Sequence, residues 1–375
     1  MPEDAPLHDV SRHHLDALAG RDGIMQHARG SEPDPAHGSC TDDVARALQV
    51  DLLHARRIGW PVVADSARRS MAFLTSAFDT ATGRFMNFRA ADGTWVRGSG
   101  SEDSHGRAIH ALGDVVAEAP DVALAGGAAS LFRRAVPAAL RLSALRAQAS
   151  TLLACDAFLR GADDAEIEAG FRILALDFGA RFEASIAPAW PWPERCLTYE
   201  NALPARALIV AGQRLASAEM ADRGLRILDW LIDAQTADDG RLTPIGNGWW
   251  FRAGARSRFD QQPIEATALL LAAEVALEMT GDDRYRATME RAYAWFLGRN
   301  DVGVELADPV RGACRDGLGP RGANANEGAE STLMWLTALE HIRALREPGI
   351  RGPERPDRER PGRERRPLGL VTATR

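Results

Sequence analysis

The acidic side chains of this 375-residue chain gather at a recurring kind of junction, where a loop of carboxylates, amides and aromatics runs into an apolar helix. The junctions read SCTDDVARAL (Ser39–Leu48), GSEDSHGRAIHALG (Gly100–Gly113), LSALRAQASTLLA (Leu142–Ala154), LTYENALPARALI (Leu197–Ile209), FDQQPIEATALLL (Phe259–Leu271) and NANEGAESTLMWL (Asn324–Leu336). Five of the six bring acids, and the third brings none. Carboxyl groups held in pairs suit one chemistry above others. Cleavage of a glycosidic bond needs a proton donor for the leaving oxygen and a carboxylate as base or nucleophile, about 5 Å apart in retaining and roughly 6.5–9.5 Å apart in inverting enzymes. The acids at or beside the junctions are Asp42, Asp43, Glu102, Asp103, Glu194, Glu200, Asp260, Glu265, Glu327 and Glu330. Adjacent acids on a helix point in different directions, so one of each pair can face a cavity while the other caps or binds arginine. Asp43 and Asp103 each open a helix with an apolar face. With Glu200 in Tyr-Glu-Asn and Asp260 in Phe-Asp-Gln-Gln, they form the short list of catalytic acids. Which is acid and which is base stays open. An acid in a first helical turn also has a plainer use, stabilising the helix dipole by roughly 0.3–1 kcal/mol.

Other side chains at the junctions fit substrate binding. Asp42 neighbours Asp43, while His105 and Arg107 follow Asp103 and can bind a hydroxyl or a carboxylate. Two long loops, Ala187–Glu200 and Asp238–Gln262, carry Trp192, Tyr199, Trp249 and Trp250, aromatics that either pack over helix ends or stack on sugar faces. Asn201, Gln261, Gln262 and Asn326 supply amides, and Glu327 and Glu330 supply acids at the last junction. His37, Asp42, Asp43 and His105 are the one conceivable metal set, but no HxH or HExxH spacing supports it, so neither metal nor cofactor is expected. The chain has no lysine: all 45 basic residues are arginine, which excludes Schiff-base chemistry, pyridoxal phosphate attachment and a P-loop lysine.

The elements that position these residues are helices. Apolar side chains recur at helical spacing over eleven segments, from Asp43–Arg56 to Ser331–Leu345, and a further helix is expected at about Pro6–Ala19. Strand signals are nearly missing. Polar junctions recur roughly every 45–65 residues, the span of two helices plus loops. Thr41 and Asn326 are expected to cap their helices, and Pro204 and Pro263 suit first helical turns. Twelve helices in alternating order imply an all-α (α/α)6 toroid over residues 1–345, with the third junction (Gln148, Ser150) as scaffold. Residues 346–375, rich in Arg, Pro and Glu, are expected to be a disordered tail. That tail holds nine arginines against five acids, so −11 of formal charge falls on residues 1–345 within a total of −7. An acidic body argues against nucleic acid. Apolar stretches such as Ala266–Ala273 are too short for a membrane span, and the N-terminus lacks a secretory pattern, which makes the cytoplasm the expected compartment. Four widely spaced cysteines read as free thiols.

The run GIMQHARGSEPDPAHGSCTDDVARAL (Gly23–Leu48), with SEDSHGRAIHALG and TYENALPARALI, resembles a bacterial family of (α/α)6 proteins. Its members are often encoded beside, or fused to, glycosyltransferases or mannoside phosphorylases. The likeness spans about Asp22–Leu345 and is most specific at His37-Gly38 followed by Thr41-Asp42-Asp43. Ser39-Cys40 and Val44 stand where that family would have an aromatic and an asparagine. More broadly the chain is similar in architecture to six-hairpin glycosidases. These readings imply an enzyme acting on an oligosaccharide or glycoconjugate, most simply a glycoside hydrolase. A sugar epimerase or polysaccharide lyase using His105 and Tyr199 is an alternative, as is a non-catalytic carbohydrate-binding scaffold partnering a glycosyltransferase.

Overall fold

The computed structural model describes residues 5–21, 23–98, 100–184 and 189–347. Twelve helices follow one another: α1 (His13–Leu18), α2 (Thr41–Ile58), α3 (Trp60–Ala77), α4 (Glu102–Glu118), α5 (Val122–Ala139), α6 (Leu145–Gly161), α7 (Ala165–Glu183), α8 (Leu203–Leu215), α9 (Ala218–Ala234), α10 (Pro263–Thr280), α11 (Asp283–Phe296) and α12 (Ala329–Arg346). The even-numbered helices form an inner ring. Each packs on the next, and α12 closes against α2, while the odd-numbered helices pack outside them. The chain is therefore an (α/α)6 toroid, and every inner helix begins at one of the polar junctions. The Arg/Pro/Glu-rich tail beyond 347 lies outside the described residues.

Two inner helices approach most closely where side chains vanish. A Cβ at Gly113 of α4 would lie 2.4 Å from the carbonyl oxygen of Ala154 on α6, and one at Gly106 would lie 3.1 Å from that of Ala147. Small residues one heptad apart thus let α4 and α6 pack almost backbone to backbone. The apolar sequence of α10 reflects burial on several sides, with Ile264, Ala266, Leu269, Leu270 and Ala273 all in the core.

Three expectations about local structure need correction. The first helix is only His13–Leu18. The residues before it form no regular element and are held by Tyr293 donating to the Pro6 carbonyl (2.9 Å) and Arg346 to that of Ala5 (2.7 Å). Strand does occur: Gly23–Arg29 and Glu32–Cys40 form an antiparallel hairpin, and Phe88–Arg89 adds to the second strand. Pro33 and Pro35 in the second strand weakened that signal, because proline cannot donate to a ladder. Finally, Thr41 and Asn326 do not cap. Cys40 precedes α2 without a side-chain cap, and Thr41 Oγ1 donates to Met86 O (2.6 Å). Gly328 precedes α12, and Asn326 Oδ1 accepts from Gly30 N (3.0 Å), tying the hairpin tip to the last junction. Pro204 and Pro263 do sit in first helical turns. Among the described residues no helix is long and apolar enough to cross a membrane.

Candidate active site

The toroid brings the N-terminal ends of its inner helices to one mouth, where arginines lace the acids together. Arg107 of α4 donates one Nη to Asp42 (3.0 Å) and the other to Glu200 (2.7 Å). Arg46 of α2 lies between Asp43 (3.1 Å) and Glu330 (2.9 Å). Arg146 of α6 donates to the Tyr199 carbonyl and to Asn201 Oδ1 (3.1 Å), pairs with Glu194 (3.3 Å) and lies over the Tyr199 ring. Tyr199 donates its hydroxyl to Asp103, and Asn201 Nδ2 donates to Glu265 (2.9 Å). All six inner helices thus meet through charged groups. Sequence reasoning had taken the third junction for scaffold alone, yet its Arg146 is one of the three organising cations. Arg46 and Arg146 were overlooked because an arginine in a helix is ordinarily a solvated face. Their only sequence signal is position, in the first or second turn of the helix.

The carboxyls at this mouth differ sharply in proton affinity. Burial works against ionised Asp42 and Glu200, but Arg107, backed by Arg46, outweighs it and holds both below their ordinary range. Burial pushes Asp43 the other way, up to about 6; Arg46 opposes this, and Glu330 and Asp42 reinforce it. Its two oxygens accept from Arg46 and from the Cys40 thiol (3.1 Å). Burial also raises Glu265 to about 7, against hydrogen bonds from Asn201, but fully buried Asn201 covers it. Asp316, which sequence reasoning did not consider, is raised by burial while it accepts from Gly328 N (2.7 Å) and Ser331 Oγ (3.0 Å). His27, on the strand hairpin near Asp316, meets His37 edge to face at 4.8 Å.

Backbone strain marks two of the expected acids. Glu200 (φ 49°) and Asp260 (φ 62°) both sit in the left-handed region, disfavoured for residues with a Cβ, just before their inner helices. Asp260 is exposed and approached by Asn247 Nδ2 (3.4 Å), with no ion pair among the described residues. Trp249, also left-handed (φ 65°), stands exposed on its loop beside exposed Phe251.

Several expected binding residues make structural contacts. His105 is fully buried against Phe85, its Nδ1 accepting from Phe85 N (3.4 Å), and burial pushes it down to about 4. It therefore reaches neither Asp103 nor a substrate. Trp192 is buried against Phe182, and Trp250 stacks on Trp230 beside Trp190, so these rings serve the core and loop packing. Gln261 is buried, donating to Asp301 (2.6 Å) and accepting from Trp295 Nε1 (3.0 Å). Gln262 ends its loop with a carbonyl that accepts from Glu265 N (3.1 Å) and makes no side-chain cap. Asn201 is a buried bracket, Asn326 ties the hairpin as described, and Glu327 is clamped by Arg311 (2.8 Å). Glu102 accepts from the backbone N–H groups of Ser143 and Ala144 (2.8 and 2.6 Å), just before α6, which leaves Asp103 as the acid of that pair facing the mouth. Among the described residues no group of three or more His, Cys, Asp or Glu side chains is placed to share a metal ion.

By sequence, no family model matches the chain and no curated protein is significantly similar to it. By structure it is similar to a sugar epimerase from a ruminal bacterium (TM-score 0.69, 11% identity, 89% of this chain and 97% of that one). It is likewise similar to cellobiose 2-epimerase from Spirochaeta thermophila (0.65, 15%, 89% and 93%). A GH76 α-mannanase from Bacteroides thetaiotaomicron also matches (0.60, 8%, 90% and 96%). At these identities the likeness establishes a shared fold.

Proposed function

We propose that this protein is a carbohydrate-active enzyme, and specifically a glycoside hydrolase acting at the mouth of the toroid. The observation that carries the reading is the divergence of neighbouring carboxyls: Asp43 is held up at about 6, while Asp42 and Glu200 are held ionised. Paired titratable groups driven apart in this way divide acid from base. Asp43 is the candidate proton donor to the leaving oxygen, and Glu200, strained and tied to Asp42 through Arg107, is the candidate base or nucleophile. Tyr199-bound Asp103 and exposed Asp260 and Trp249 are assigned to substrate positioning. The sugar enzymes that share the fold are consistent with a saccharide substrate. The test is release of reducing ends from a panel of α- and β-linked gluco- and manno-oligosaccharides. Asp43→Asn and Glu200→Gln should each abolish it without unfolding the protein, and full activity in both variants would refute the assignment.

A second reading, an epimerase or isomerase, rests on the His27–His37 pair beside Asp316, since the expected His105–Tyr199 pair does not assemble. Its product keeps the chain length of its substrate, and loss of activity in His27→Gln with retention in Asp43→Asn would select it. Binding of saccharides without any turnover would instead select the scaffold role.

A further inference from the structure

Behind the mouth, the ring of inner helices encloses a cavity of about 1320 Å3. Its lining begins at Arg46, Arg107 and Glu200 and continues to Trp60, Arg160 and Glu278, near the opposite ends of those helices. There Arg160 and Glu278 are exposed, so the lumen has its own entrance, and Arg46, Arg107 and Glu200 bound it on the side of the mouth. Most of its charged side chains are paired. Arg56 meets Glu118 (2.5 Å), Arg160 and Arg214 share Asp156 (3.3 and 2.6 Å), His341 meets Glu274 (2.7 Å), and Gln49 donates to Asp114 (2.7 Å). Arg206 on α8 is different. Among the described residues its guanidinium has neither an ion pair nor a hydrogen bond, and its Nε is completely covered. Enclosure holds it below its ordinary proton affinity, although Glu274 and Asp114 act in the opposite direction. A half-buried cation whose covered Nε has no partner is costly, which makes it a marker for something that binds there.

The chemistry of the walls restricts what that is. The lining carries seven arginines and seven acids, so the chamber has no excess of either charge with which to select an ion. Apolar Leu153, Leu271 and Met334 line the cavity between these groups. Donors on one wall, acceptors on others and apolar strips between them suit a neutral molecule with many hydroxyls. We propose that the lumen holds a second ligand site around Arg206, behind the mouth, and that it takes a polyhydroxylated molecule of mono- or disaccharide size. Arg206 donates to its hydroxyls, and Asp114 and Glu274 accept from them.

Calorimetric titration of the full chain with D-glucose, cellobiose and mannobiose, and separately with inorganic phosphate, tests this. The expected result is saturable binding of at least one saccharide, weakened tenfold or more by Arg206→Met and unchanged by Asp43→Asn. Arg206→Met should keep or raise the Tm, because it removes an unpaired enclosed charge. No saccharide binding by the wild type, equal binding by Arg206→Met, loss in Asp43→Asn, or preference for phosphate would each overturn the proposal. A lower Tm in Arg206→Met would also overturn it, since the guanidinium would then be a structural prop.

Discussion

Replacing Asp43 by Asn separates the acid from its surroundings and reads out in two ways. The folded carboxyl titrates at about 6, against 3.8 in the open chain, because burial outweighs the attraction of Arg46. A folded value above the unfolded one means that the stability linked to this group is fully present below pH 4 and is lost as pH rises through about 6. A shift of this size is worth about 3 kcal/mol at pH 8. Asn has no proton to lose, so its free-energy difference from wild type should move by about 3 kcal/mol in the variant's favour between pH 4 and pH 8. Denaturant unfolding of both proteins at pH 4, 6 and 8 measures that gap, and groups that titrate identically in the two cancel. A gap constant within about 0.5 kcal/mol would refute the account of Asp43 as a carboxyl held protonated by burial. In the same variant, kcat should fall by about 10²-fold or more, as for loss of a general acid. The wild-type activity should decline above about pH 6 as Asp43 loses its proton.

Other substitutions test the scaffold around it. Arg107→Met leaves Asp42 and Glu200 enclosed without their cation and should destabilise by about 3–5 kcal/mol at neutral pH, read as a loss of Tm. Arg107→Lys should recover only part of that, because one ammonium cannot fork between two carboxylates. Trp249→Ala should weaken affinity for longer oligosaccharides while leaving the Tm unchanged, whereas Trp192→Ala should lower stability by about 3–5 kcal/mol. Gly113→Val should destabilise by more than about 2 kcal/mol in thermal unfolding, because its Cβ would meet the Ala154 carbonyl.

The helical repeat was legible in the sequence because each inner helix starts with a polar loop and continues with an apolar face. Asp43, Asp103 and Glu200 do lie at one mouth, since the ring places every inner N-terminus on the same side. Less was legible where identity depends on facing. His105 lies only two residues from Asp103, but a fraction of a helical turn sends it into the core beside Phe85. Trp192 and Trp249 read alike on aromatic loops, yet one is buried and the other exposed. The strand hairpin escaped notice because its second strand carries two prolines.

Local sequence by itself determined the helices, their alternation and the supply of acids, all of which rest on periodicity and composition within one segment. Tertiary structure alone decided how those acids are charged. The proton affinity of Asp43 depends on its burial in the closed ring beside Arg46 of the same helix, and that of Asp42 and Glu200 on Arg107 of α4, which the ring brings within 3.0 Å of both. The unpartnered Arg206 is also a property of the closed ring, because a lumen exists only once six helices from the whole chain surround it. Burial and the Arg107 contacts are set by segments distant in sequence, so no local pattern could encode them.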